Sequence, residues 1–186
     1  MNKKLELLKA ISKMEMTSKD IELFLDATNQ KQIDEEFLFL VCSHKLHNLL
    51  FKHIVSFKKL FDIKKSIAFI LNERFVFTQN RAAEYFNLIK RIVPLLNKNN
   101  ISYAFLKGIS IANDLYCCDG LVYRSFNDID ILISKEQTIR LNEVLESLGF
   151  IQGTIDNNYQ LAKIDRKQKI YWSLNTHQEH RVLLLL

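Results

Sequence analysis

The sequence predicts an α/β (α+β) protein in which a helical N-terminal region precedes a small mixed sheet with flanking helices. The first hundred residues contain the single proline and no glycine, and their apolar residues recur three and four positions apart, as in amphipathic helices. All four glycines, at positions 108, 120, 149 and 153, fall in the second half, where strand-like and helix-like segments alternate. The predicted domains are therefore residues 1–98, a helical region, and residues 99–186, an α/β core.

The N-terminal region is predicted to form a small helical bundle. Three short apolar stripes at helical spacing and one long stripe predict its helices. The short stripes are Leu5, Leu8 and Ile11; then Ile21, Leu23, Phe24 and Leu25; then Phe37, Leu40, Val41, Leu46, Leu49 and Leu50. The long stripe predicts one helix over about residues 66–97, with Pro94 near its end.

The second half begins with a predicted strand over residues 101–106, a turn at Gly108 and a helix to residue 116. A further strand is predicted over residues 128–133. Ser134 and Gln137 have the spacing of a capping box, which predicts a helix that ends at Gly149. Residues 150–154, 159–164 and 169–174 are predicted to be strands, the last two joined as a hairpin.

Two acidic residues, Asp128 and Asp130, stand two positions apart in the predicted strand 128–133. Residues with this spacing on a strand point to the same face, so both carboxylates converge. Two like charges held close together repel each other unless a cation or a proton lies between them, and this favours a bound divalent metal. A solvated strand edge or a structural ion pair is the alternative interpretation.

The glycine turn upstream of this pair indicates a phosphate site. Gly108 permits close approach of the backbone to a ligand, and the free N–H groups at the start of the next helix favour a phosphate. A phosphate site beside an acidic pair suggests that the chain binds a nucleotide. The alternative is that Gly108 serves only the turn.

Residues 106–110 (LKGIS) and residues 124–133 (RSFNDIDILI), taken together and in this order, resemble the nucleotidyltransferase superfamily of the DNA polymerase β fold. Within it they are most similar to the bacterial group known as uncharacterised nucleotidyltransferases, over roughly residues 80–180. The resemblance implies a polymerase β-like core. It also implies Mg²⁺-dependent transfer of a nucleoside monophosphate from an NTP such as ATP to a hydroxyl acceptor, with two Mg²⁺ ions and pyrophosphate as the leaving group.

The resemblance also implies roles for individual residues. Asp128 and Asp130 are carried over as catalytic metal ligands, and Gly108 as the turn that contacts the triphosphate. Ser110 is a candidate phosphate contact, although the family's serine usually stands one position earlier. Lys107 and Arg124 are candidates for neutralising phosphate charge. Lys107 could equally be an ordinary exposed lysine, and Arg124 could equally hold the aspartates in place.

A third carboxylate, which the superfamily places on a later strand, has no clean counterpart in this sequence. Asp156 and Asp165 lie in predicted turns, and Glu179 lies in a polar stretch near the end. We therefore expect the chain to be truncated at its C-terminus. The alternative function is a catalytically impaired nucleotide-binding module that lacks the third metal carboxylate.

Composition limits the class of protein and its partners. An apolar content of 48% in 186 residues is sufficient for a core, and no apolar run approaches the length of a membrane span. The formal net charge of +5 is a mild excess, so a small-molecule or protein acceptor is favoured over nucleic acid. Three cysteines without metal-ligand spacing predict a cytoplasmic protein, with the adjacent pair at 117 and 118 packed in a loop. The histidines at 44, 47 and 53 are expected on the flanks of a helix, with no role.

Overall fold

The structure, a computed structural model, describes residues 3–150, 153–155, 161–163 and 167. Its helices are α1 (Lys3–Ile11), α2 (Ser18–Asn29), α3 (Glu35–Ser43), α4 (His47–Ser56), α5 (Lys65–Lys98), α6 (Lys107–Leu115), a 3-10 turn (Lys135–Gln137) and α7 (Thr138–Ser147). Its strands are β1 (Tyr103–Leu106), β2 (Cys117–Cys118), β3 (Leu121–Val122), β4 (Asp130–Ile133), β5 (Gly153–Ile155) and β6 (Leu161–Lys163). The predicted α+β class with a helical N-terminal region is confirmed.

The described strands pair two by two. β1 pairs with β4, β2 with β3 and β5 with β6, the last two pairs being antiparallel. The β2–β3 hairpin turns at Asp119 and Gly120, which have φ angles of 51° and 76°. Two central residues with positive φ favour a tight two-residue hairpin, and Asp-Gly is the usual sequence for it. The sequence therefore contained a hairpin signal that the prediction of a loop overlooked.

The described residues divide into two compact units. The first comprises residues up to Leu88 together with Ala104–Leu132, and the second comprises Ile89–Tyr103 and the described residues from Ile133 onward. The core of the first unit is built from α1 to α4 and the start of α5. Its most deeply buried large side chains are Ile11, Phe24, Phe37, Leu50, Ile54, Ile67 and Leu71. In the second unit the buried apolar side chains are Ile92, Leu96, Ile101, Val144 and Phe150.

The long helix predicted over residues 66–97 is confirmed as α5, which extends to Lys98 and contains Pro94. The division of the chain into two domains at this point stays a prediction. The third short stripe, which was predicted as one element, forms two helices, because the chain turns at Lys45 with a φ of 57°. In the first stripe Leu5 is exposed and Leu7 is buried instead.

Four of the described helices, α2 to α5, share an unusual feature: a residue other than glycine occupies the left-handed position after the helix. Lys31, Lys45, Lys58 and Asn100 have φ angles between 51° and 57°. The two hydrogen bonds of a Schellman motif accompany each of them; after α3, for example, Lys45 N donates to Cys42 O at 3.0 Å and Leu46 N to Val41 O at 2.9 Å. At the end of α7 a glycine, Gly149, fills this position, as the sequence predicts.

The capping box predicted at Ser134 and Gln137 is wrong. Ser134 makes no capping hydrogen bond through its side chain. The side chain of Gln137 instead accepts from Ser102 N at 3.2 Å and donates to Asn100 O at 3.1 Å. Hydrogen bonds from Gln137 to the segment at residues 100–102 of the same unit therefore replace the predicted capping bonds with Ser134. The predicted strand 169–174 lies outside the described residues.

Among the described helices, none has the combination of length and apolar character that crossing a bilayer requires. The cysteines at 117 and 118 are exposed and not disulfide-bonded, so the predicted packing of this pair in a loop is wrong.

Candidate functional site

The chain turns at Lys107 from β1 into α6, so Gly108 is the second residue of that helix and not the turn residue that the sequence predicts. Its backbone lies against the segment that carries the aspartates. A Cβ atom placed on Gly108 would lie 2.8 Å from Cβ of Phe126 and 3.8 Å from Oδ1 of Asp128. Real Cβ atoms do not approach each other to 2.8 Å, so this position requires glycine for space rather than for its backbone angles. Gly108 and Asp128 are therefore neighbours in space.

Lys107, the residue before this glycine, has a left-handed backbone with a φ of 50°, whereas the preceding Leu106 is extended. Such a conformation costs a residue with a Cβ about 1–2 kcal/mol. The Lys107 side chain is mostly exposed, and its Nζ lies 3.4 Å from Oδ2 of Asp130. The two residues of the turn thus contact the two aspartates separately: Gly108 lies beside Asp128, and Lys107 pairs with Asp130.

The two aspartates differ in their local structure. Asp130 is half-buried and is the first residue of β4, whereas Asp128 is exposed and precedes the strand. The strand therefore starts two residues later than the sequence predicts. The segment immediately before it is held by tertiary contacts instead of by strand pairing.

Ser110 and Arg124 make their described contacts elsewhere. Ser110 Oγ donates to Oδ2 of Asp114 at 3.4 Å, one turn further along α6. The Arg124 guanidinium lies over the Tyr116 ring, 5.5 Å from its centroid. Within the described part of the chain, no hydrogen bond or ion pair joins either residue to Asp128 or Asp130.

Helix α5 holds the segment that leads to the aspartates. The side-chain amide of Gln79 both donates to Val122 O, at 2.7 Å, and accepts from Val122 N, at 2.9 Å. Tyr85 Oη donates to Asn127 O at 2.6 Å. The Phe126 ring packs on Tyr85, with ring centroids 5.3 Å apart. Because Asn127 directly precedes Asp128, these contacts set where the first carboxylate lies.

A buried polar cluster lies behind this segment. Asn48 Nδ2 donates to Thr78 Oγ1 at 3.0 Å and to Ser125 Oγ at 3.1 Å, and His47 Nε2 lies 3.3 Å from Ser125 Oγ. Burial first, and the charge of Arg74 second, lower the pKa of His47 to about 4, so its imidazole is neutral at pH 7. Nδ1 of His47 and Oδ1 of Asn48 have no hydrogen-bond partner among the described residues.

This cluster borders a cavity of about 150 Å³ in the first unit. Its polar lining consists of His47, Arg74, Thr78, Arg81, Ser125 and Asn127. The cavity thus combines buried neutral groups with two guanidinium groups, next to the residue that precedes Asp128.

His47 and His53 were expected on the flanks of a helix, with no role. Their predicted position on the flanks is wrong, because both side chains are buried. The contributions of Gln79, Tyr85 and Arg81 were also missed. Arg81 and Tyr85 have the four-residue spacing of one helix face, whereas Gln79 lies on another side of α5, and nothing local indicates which loop each side contacts.

The donor set suits a divalent metal in its chemistry. Mg²⁺ prefers oxygen ligands and is commonly bound by one or two carboxylates together with substrate phosphates. Asp128 and Asp130 supply two carboxylates beside the glycine turn. In the part of the chain that the structure describes, no group of three metal-ligating side chains occurs. The candidates for a third carboxylate, at 156, 165 and 179, lie outside that part, as do the histidines at 177 and 180.

Comparison with known protein families bears on residues 30–183 of the chain. A search of curated proteins and a search of solved structures each found no match. The family model described as uncharacterised nucleotidyltransferase matches residues 30–183. The match extends well beyond the resemblance expected from residue 80 and includes helices α3 to α5, from which His47, Gln79 and Tyr85 contact the segment before Asp128. Since a model of this family matches most of the chain, from the helical region through the glycine turn and the paired aspartates, the protein belongs to the uncharacterised nucleotidyltransferase family.

Proposed function

We propose that this protein transfers a nucleoside monophosphate from an NTP to a hydroxyl acceptor in a Mg²⁺-dependent reaction. The observation that carries the proposal is the meeting of the Lys107–Gly108 turn with Asp128 and Asp130. The Lys107 ammonium lies beside the carboxylate of Asp130, and the Gly108 backbone lies beside that of Asp128. These groups form a site in which a triphosphate and its metal could bind together. Membership of the family supports the same reaction class.

In this reaction the acceptor oxygen forms a bond to the α-phosphorus of the NTP, and the bond from that phosphorus to the bridging oxygen breaks. Pyrophosphate leaves with the bonding electron pair, and the acceptor's hydroxyl proton passes to solvent. A bound divalent metal supplies charge neutralisation on the phosphates. Asp128 and Asp130 would hold it, with a second Mg²⁺ ion expected from the family's chemistry.

The residues of the turn act on the triphosphate. The backbone N–H groups at the start of α6 would donate to phosphate oxygens, and Lys107 would balance the phosphate charge. Ser110 and Arg124 belong to the proposal as further phosphate contacts. For this, each would exchange its present partner, Asp114 or Tyr116, for the nucleotide.

The proposed acceptor is a small molecule or a protein rather than nucleic acid. A mild formal charge of +5 does not provide the strong basic surface that sequence-independent binding to nucleic acid needs. We place the reaction in the cytoplasm.

A second candidate function is a nucleotide-binding module without turnover. It is favoured by the absence of a third metal-ligating side chain near Asp128 and Asp130 in the described residues. Both functions require nucleotide binding, but only the first produces pyrophosphate.

Two measurements test these proposals. Calorimetric titration of the full chain with ATP and Mg²⁺ should show binding that is lost in the double variant Asp128→Asn with Asp130→Asn. Asp119→Asn is the matched control, because Asp119 is an exposed turn aspartate and asparagine tolerates its positive φ. Equal binding by the double variant and the wild type would defeat the site assignment.

The second measurement separates the two functions. The protein is incubated with NTPs, Mg²⁺ and a small-molecule extract that supplies hydroxyl acceptors, and pyrophosphate is measured. Release that disappears in the double variant supports the transferase. Protein acceptors are tested in the same way. Binding of ATP without pyrophosphate release from any of these mixtures supports the binding module.

A further inference from the structure

The cavity beside the polar cluster carries positive charge that no described acidic residue balances. Arg74 and Arg81 lie about two helical turns apart on α5, so they project from the same side of that helix. Both line the cavity, and within the described residues neither forms an ion pair with a carboxylate. Arg74 is exposed, and no described hydrogen bond restrains its guanidinium. Arg81 donates to Tyr85 Oη at 3.1 Å.

The inner wall of the cavity contains buried polar groups among apolar side chains, which include Phe77, Ala82 and Phe126. His47 and Thr78 are each more than nine-tenths buried, and both line it together with Ser125. Buried polar atoms are nearly always hydrogen-bonded, yet Nδ1 of His47 has no partner among the described residues. An arrangement of neutral hydrogen-bonding groups inside and guanidinium groups at the rim suits a ligand with a charged end.

The position of the cavity connects it to the proposed reaction. Asn127 lines it and is followed directly by Asp128. Phe126 also lines the cavity, and the backbone of Gly108 packs against Phe126. A ligand seated in the cavity would therefore lie near Asp128 and Gly108 without occupying the nucleotide site.

We propose that this cavity binds a compact oxyanion, a phosphate monoester or a carboxylate, on the acceptor molecule of the reaction. Guanidinium groups bind both kinds of oxyanion through paired hydrogen bonds. A volume of about 150 Å³ is well below the roughly 300–1,000 Å³ of sites for drug-sized ligands, so it suits the charged end of an acceptor and not a whole nucleotide. This inference rests on the proposed function, whose acceptor it narrows to anionic molecules.

The test uses the full chain, with inorganic phosphate and acetate as separate probes in the absence of NTP and metal. Binding is followed by calorimetry and by the shift of the melting temperature. We expect at least one probe to bind, and we expect Arg74→Gln to weaken that binding about tenfold or more, since it removes a charged hydrogen-bond donor. Arg74→Gln is the preferred variant because its side chain makes no described hydrogen bond whose loss could disturb the fold. Phosphate binding alone identifies a phosphate monoester, and acetate binding alone identifies a carboxylate.

Arg91→Gln, which changes an exposed arginine further along the same helix, is the matched control and should bind the probe as the wild type does. Arg74→Lys keeps the charge but not the planar fork, so it should bind more weakly than the wild type and more tightly than Arg74→Gln. Binding of neither probe to the wild type, or equal binding to the wild type and Arg74→Gln, would overturn the proposal.

A titration with ATP and Mg²⁺ separates this inference from the proposed function. If Arg74→Gln binds ATP as the wild type does while losing the probe, the cavity is distinct from the nucleotide site, as proposed. If it loses ATP and the probe to the same degree, the cavity holds the triphosphate and the acceptor assignment is wrong. If ATP does not bind the wild type but the probe does so through Arg74, the transferase proposal fails while an anion site remains.

Discussion

The Nζ atom of Lys107, the first residue of α6, lies 3.4 Å from Oδ2 of Asp130, the first residue of β4. The lysine side chain is 78% exposed, and an exposed pair of this kind contributes only about 0–1 kcal/mol to stability. The left-handed backbone of Lys107 costs about as much or more. The pair is therefore a poor stabilising device, which agrees with a role for Lys107 in binding a ligand.

Replacing Lys107 by glycine should separate stability from binding. Lys107→Gly relieves the left-handed strain, so we expect the free energy of unfolding to stay the same or to rise by up to about 1 kcal/mol. Affinity for ATP with Mg²⁺ should fall at the same time, because the phosphate charge loses its partner. Denaturant unfolding and calorimetric titration measure the two effects. A variant that loses stability and keeps its ATP affinity would contradict this interpretation.

Gly108→Ala should destabilise the protein, although alanine is the better helix former. Helix propensity alone would stabilise the variant by about 1 kcal/mol. Against this, the new Cβ would lie 2.8 Å from Cβ of Phe126, and overpacking of this kind typically costs about 1–3 kcal/mol. We expect a net loss in the free energy of unfolding, measured by denaturant titration.

A second substitution checks the cause of that loss. The clash involves Cβ of Phe126, which alanine also has, so adding Phe126→Ala should not rescue Gly108→Ala. Rescue by Phe126→Ala would show that the ring, and not the backbone approach, is the obstacle.

Helix ends offer a third prediction. Lys45 and Lys58 occupy left-handed positions in Schellman motifs and form no described ion pair. Lys45→Gly and Lys58→Gly should each raise the free energy of unfolding by about 0.5–1 kcal/mol, because glycine adopts this conformation without steric cost. Lys90→Gly, in the interior of α5, is the control and should lower it by about 1 kcal/mol. Thermal melting of the three variants checks the opposite signs.

The buried histidine His47 predicts a dependence of stability on pH. Its pKa is lowered to about 4 in the folded protein, against about 6.5 in the unfolded chain, so below pH 6.5 the unfolded chain binds the proton more readily. Stability is therefore unaffected by this group above pH 6.5, and it falls as the pH drops from 6.5 to about 4. The total loss is about 3 kcal/mol at the most.

The variant His47→Gln isolates this contribution. Burial also lowers the pKa of His53, and taking the difference between wild type and variant removes that common background. The difference in the free energy of unfolding should change between pH 6.5 and pH 4 and be constant above that range. Parallel curves for the two proteins over the whole range would show that His47 does not titrate in this way.

Local patterns in the sequence were sufficient for α5, for the strand and the helix that follow one another around Lys107, and for the C-terminal cap at Gly149. The turn predicted at Gly108 is at Lys107 instead, and Gly108 belongs to the helix. Each depends on apolar periodicity or on a backbone requirement within a few residues, and such interactions can be read along the chain. The acidic pair and its distance along the chain from the glycine were likewise visible, and they led to the family that the comparison then showed.

Only the tertiary structure brought His47, Arg74 and Ser125 to one cavity and set Gly108 against Phe126 and Asp128. These residues lie on different helices and loops, and no periodicity relates them. The same holds for Gln79 and Tyr85, whose hydrogen bonds to the segment before Asp128 depend on how a loop packs on α5. A sequence pattern determines which face of a helix is polar, whereas the partner of that face is decided when distant segments pack together and satisfy each other's buried groups.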